Sequence, residues 1–107
     1  MPETQNEIQI QITPTLVTHL VAVQKRSGET VPFDVKKIYE AIKKAVAVTT
    51  EVSDVEVVKI TQDVLKRLDE QFNAKTPNVE NIQEVVIQTL MDSRAYKTAE
   101  AYIVYRQ

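Results

Sequence analysis

The sequence predicts an α+β domain: a small β-hairpin or three-stranded sheet packed on a four-helix bundle. Three observations carry that reading. Two short β-friendly runs, Leu20 to Lys25 and Thr30 to Phe33, flank Ser27-Gly28, and Gly28 is the only glycine in 107 residues. Beyond residue 34, four stretches place apolar residues at helical spacing, and Asp34, Ser53 and Asn78 stand where helix caps belong. A chain of this length builds one domain around one core.

Residues 1–19 read as a separate N-terminal extension, with residues 20–107 forming the domain. Within the extension, Ile8, Ile10 and Ile12 alternate with polar residues as in a short strand. That pattern fits an edge strand, a docking arm or a flexible lead equally well. In the first strand Val21 and Val23 share a face, and Gly28 supplies the positive φ that a tight hairpin needs. Pro32 confines the second strand to an edge, because it has no N–H to donate.

Asp34 then caps a helix running to about Val48, with Ile38, Ala41, Ile42, Ala45 and Val46 on one stripe. Ser53-Asp54-Val55-Glu56 is a capping box that opens a second helix. Its stripe of Val57, Ile60, Val64, Leu65, Leu68 and Phe72 ends near Asn73. Thr76-Pro77 blocks further helix and Asn78 caps the third, roughly Val79 to Met91. Ile82, Val85, Val86, Ile87, Leu90 and Met91 cover most of its circumference, so the third helix is expected to be the most buried. A fourth helix follows Asp92-Ser93, with Tyr96, Ala99, Tyr102 and Ile103 facing inward.

Composition excludes several functions. Without cysteine there is no disulfide and no thiolate metal site, which fits a cytoplasmic protein. The single histidine, His19, has no partner at ligand or triad spacing and reads as a surface residue. Asp69-Glu70 reads as a solvated helix face. No run is long enough to span a membrane, and a net charge of −2 argues against wholesale binding to nucleic acid or anionic lipid. A phosphate loop of the Walker type or a dinucleotide fingerprint needs several glycines. The chain by itself is therefore not expected to be an enzyme.

The distribution of charge is more informative than its sum. Lys25, Arg26, Lys36, Lys37, Lys43 and Lys44 crowd six of the thirteen basic residues between positions 25 and 44. Lys43 and Lys44 read as a solvated helix face. Lys25 and Arg26 end the first strand, where they are either a solvated hairpin corner or a point charge and a bidentate fork for phosphate. Lys37, in the first turn of the helix that Asp34 caps, stands where an anion is favoured.

The stretch from Val23 to Ile38 reads V-x-K-R-x-G-x-x-V-P-F-D-x-x-K-I. The second half continues with Val79-Glu80-Asn81-Ile82-Gln83-Glu84-Val85-Val86, Leu90-Met91, and Y-x-x-A-x-A-Y-I-x-Y-R from Tyr96 to Arg106. In order and spacing these pieces resemble the ATP-cone, the nucleotide-sensing module at the N-terminus of many ribonucleotide reductases. The ending looks most like the anaerobic, glycyl-radical class. The resemblance covers about residues 21–106. It implies a domain that binds ATP as activator or dATP as inhibitor, with Mg2+, to control the overall activity of a reductase, often through a change of oligomeric state.

Carried over by position, the resemblance implies Lys25, Arg26, Lys37 and Arg106 as phosphate-binding cations. It implies Val23, Phe33, Asp34, Ile38, Val79 and Gln83 beside base and sugar. For Val23, Phe33 and Ile38, core packing is an equal reading; Tyr102 and Tyr105 read first as core. Val79 stands where some cones have threonine, and Gln107 ends the chain where others continue with basic residues. The implied partners are the catalytic domain of a parent reductase and a nucleotide-dependent homo-oligomer. The expected setting is a domain excised from a reductase, with a free-standing regulator as the alternative. A helical protein-interaction module is the competing function, and a DNA-binding helix over Lys36 to Lys44 is disfavoured by net charge and interleaved acids.

Overall fold

The computed structural model describes residues 16–106. The segment read as a strand around Ile8 to Ile12 lies outside the described residues. Two strands, β1 (Ala22–Gln24) and β2 (Thr30–Pro32), pair antiparallel with Val23 opposite Val31. Gly28 closes the hairpin at φ 91 and donates its N–H to the Lys25 carbonyl at 2.9 Å. A Cβ at Gly28 would meet nothing within 4 Å, so the backbone angle, and not space, calls for glycine. The Val21 carbonyl still accepts from Phe33 N–H at 3.1 Å, yet the Val21 side chain is exposed while that of Val23 is half-buried.

Among the described residues the sheet has two strands, and a third contributes only one bridge. Gln24 pairs in parallel with Asn78, and its N–H donates to the Pro77 carbonyl at 2.9 Å. Asn78 immediately caps a helix, so the pairing cannot extend.

Four helices follow: α1 (Val35–Thr49), α2 (Asp54–Phe72), α3 (Val79–Asp92) and α4 (Tyr96–Arg106). Each predicted cap is present. Asp34 Oδ1 accepts from Lys36 N–H at 3.0 Å. Ser53 and Glu56 form a reciprocal capping box, as do Asn78 and Asn81. The helices pack in a ring, α1 on α2 and α4, α3 on α2 and α4. Thr49 at the end of α1 meets Thr98 at the start of α4, with their hydroxyls 2.8 Å apart. The beginnings of α1 and α3 and the end of α4 therefore share the hairpin's end of the bundle.

Ile42, Val57, Val64, Leu65, Leu68 and Leu90 have no exposed surface at all. Burying each such side chain contributes about 1.5–3 kcal/mol. The buried Thr61 and Thr89 donate to the carbonyls of Val57 and Val85, one turn back, which satisfies their hydroxyls inside the core.

The longer α2 buries six residues and α3 four, each helix packing against two neighbours. Other expectations are corrected. The apolar band of α3 is wider than the two neighbours it faces, so Met91 remains 44% exposed. Tyr96 opens α4 at 56% exposure while Thr98 turns inward to meet Thr49 and Glu51. In addition, Asp69 is not a bare surface acid. Its Oδ1 accepts from the Thr18 hydroxyl at 2.7 Å and His19 N–H at 3.1 Å, fastening the incoming chain to α2 next to the buried Leu20.

Candidate functional site

One cavity of about 590 Å3 opens between the hairpin and the shared end of α1, α3 and α4. This falls within the ~300–1,000 Å3 of sites that bury most of a small ligand. Its walls follow from the elements around it. Val23, Val31, Pro32 and Phe33 face it from the hairpin, Ile38 and Ala41 from α1, Val79 and Ile82 from α3, and Tyr102 from α4. The charged residues on the lining are Lys25, Asp34 and Lys37, two cations and one carboxylate in a mostly apolar wall. Lys37 sits at the third position of α1, where the helix dipole's positive end adds to its own charge.

Of the residues singled out from the sequence, Val23, Lys25, Phe33, Asp34, Lys37, Ile38 and Val79 come together on this lining. Arg26, Gln83 and Arg106 are not on the lining. Arg26 Nε pairs with Glu80 Oε2 at 3.3 Å, which ties the hairpin to the first turn of α3. Arg106 Nη1 donates to Gln83 Oε1 at 3.1 Å and joins α4 to α3. Arg106 Nε is buried without a hydrogen-bond partner among the described residues.

Sequence reasoning passed over Val31, Pro32, Ala41, Ile82 and Tyr102 as cavity residues. The signal was available for Ile82, since it lies three residues beyond Val79 and so shares its face of α3. Tyr102 is both core and wall. Only 6% exposed, it has its phenol pushed up to about 12 by burial, partly offset by the nearby Arg106 charge. Lys43 and Lys44 face away from this cavity: Lys43 lies over the Tyr39 ring and Lys44 over that of Tyr105, 5.7 and 5.4 Å from the centroids.

The sequence profile of the ATP cone domain matches residues 21–107, from the start of the hairpin through the last helix. The chain belongs to the ATP-cone family. The cone also resembles ribonucleoside-diphosphate reductase subunit alpha of Chlamydia muridarum (strain MoPn / Nigg), at 32% identity over 96 residues. That match covers 81% of this chain and 9% of the relative, so this cone corresponds to a small part of a much longer protein. Among the described residues, no group of three or more His, Cys, Asp or Glu side chains is placed to hold a metal. Nor is any helix among them long and apolar enough to cross a membrane.

Proposed function

We propose that this cone is an allosteric domain that binds ATP or dATP and sets the overall activity of a ribonucleotide reductase. The observation that carries the reading is the lining of the cavity: mostly apolar walls together with Lys25 and Lys37. A nucleotide asks for both, with a flat base and a polyanion. Val23, Phe33, Ile38 and Val79 enclose the base, and Asp34 accepts from a sugar hydroxyl. Lys25 and Lys37 take the phosphates, with Arg26 joining from beyond the lining. Gln83 and Arg106, bonded to each other, keep α4 seated on α3.

The nucleotide enters as its magnesium complex, the ion being carried by the phosphates. The domain performs no chemistry itself. Its output is a change in how it meets the catalytic body of the reductase or further copies of itself.

Calorimetric titration with ATP and with dATP in magnesium buffer tests this reading. Each phosphate cation is worth roughly 1.5–3 kcal/mol as a charge-assisted contact. Lys25→Ala and Lys37→Ala are therefore each expected to weaken binding about ten- to a hundredfold, while Lys43→Ala and Lys44→Ala change it little. Equal losses at all four positions would show a diffuse electrostatic attraction in place of a defined site. No heat with either nucleotide would end the proposal.

A further inference from the structure

A salt bridge joins Arg26 and Glu80, the sequence neighbours of the cavity-lining residues Lys25 and Val79. The Gln24–Asn78 bridge and the hydrogen bond from Gln24 N–H to the Pro77 carbonyl bring the two segments together, and just beyond them the long Arg26 and Glu80 side chains reach each other. The side chains are 67% and 52% exposed, so the pair is free to exchange partners. Arg26 Nε stands 3.3 Å from Glu80 Oε2. The carboxylate belongs to the first turn of α3, where the helix dipole favours an anion.

From this the geometry points to Glu80 as a built-in competitor for the polyphosphate. In the free domain its carboxylate occupies Arg26 and ties the hairpin to α3. A nucleotide carrying several phosphates displaces it, because the phosphate chain offers Arg26 more acceptor oxygens and more charge than one carboxylate. Binding is then an exchange of ion pairs that also unties the hairpin tip from α3. Glu80 thereby lowers affinity and makes it depend on the number of phosphates. The inference rests on the nucleotide-binding reading given above.

Titrating wild type, Glu80→Gln, Arg26→Ala and the double variant with ATP and AMP separates the two. An exposed ion pair is a weak competitor, so Glu80→Gln is expected to tighten ATP binding by about three- to tenfold. AMP binding is expected to improve by about twofold or less, one phosphate being a poor match for the freed guanidinium. In the Arg26→Ala background the gain for ATP is expected to shrink to about twofold or less, since the carboxylate then has no cation to withhold.

An equal gain in both backgrounds would show simple repulsion of the ligand by Glu80 and overturn the exchange. Unchanged ATP affinity in Glu80→Gln, with wild type binding normally, would overturn the competitor while leaving the nucleotide reading intact. Absence of binding in wild type and in Glu80→Gln alike would remove the nucleotide reading and the competitor together. Binding by Glu80→Gln alone would support the competitor in its strongest form.

Discussion

Tyr102 shows how one side chain can belong to the core and to a binding site at once. Its ring closes the back of the cavity, and burial raises its phenol to about 12 from an ordinary value of 10.0. The folded value lies above the unfolded one, so the stabilisation is complete below pH 10 and is lost as pH rises toward 12. The loss amounts to roughly 2–3 kcal/mol. Denaturant unfolding at a series of alkaline pH values is expected to show this loss in wild type and to lack it in Tyr102→Phe. Identical alkaline slopes would mean that the phenol is solvated. The sequence made the charged members of the site legible because a cation pair beside a lone glycine is unusual in any chain. The apolar members were less so. Val31, Pro32 and Ala41 look the same whether they face a core or a slot, and only the hairpin's position over α1 decides.

The helices were legible from their stripes and caps, with α4 the exception. Its apolar residues do not form a clean stripe, and although it packs closely on α1 it takes a further hold. Glu51, in the loop after α1, supplies one. Its carboxylate accepts from Thr98 N–H and the Thr98 hydroxyl, both at 2.9 Å, and from Lys97 N–H at 3.5 Å. A side chain far away in sequence thus caps α4, which no local pattern reveals. The Thr98 backbone N–H is the largest cause of a lowered Glu51 pKa, and the Arg67 guanidinium does the same for Asp92, fastening α2 to α3. Both folded values lie below the ordinary 4.5 and 3.8, so the stabilisation is present above pH 4.5 and is lost as pH falls through the lowered values. The wild-type melting temperature is expected to fall in that acidic range. Glu51→Gln is expected to melt lower at neutral pH and to flatten the acidic fall. Hydrogen exchange should locate the loosening at residues 97 and 98, and unaltered exchange there would refute the capping role.

The up-and-down course of the chain gathers two helix N-termini, one C-terminus and the hairpin at one end of the bundle. The Thr49–Thr98 contact and the Glu51 cap lie at the other end. The cavity lining therefore draws on every helix except α2, whose Leu65 and Leu68 stay in the core. This bears on discrimination between ATP and dATP, which differ by one 2′-hydroxyl. One hydrogen bond to that group is worth about 0.5–1.5 kcal/mol net, too little for a single cavity to admit one nucleotide and exclude the other. Both are expected to compete for this cavity with affinities within roughly tenfold. Under the proposed reading, opposite outputs would then come from two arrangements of the bundle that the hydroxyl biases, and not from occupancy. Competition calorimetry, with dATP titrated into protein saturated with ATP, is the direct check. Undiminished dATP binding under those conditions would demand a second site, and the shared cavity would be abandoned. If competition holds, sedimentation of the two complexes is expected to differ where their titration curves do not, because under the proposed reading the switch lies in the arrangement of the bundle and not in the strength of binding.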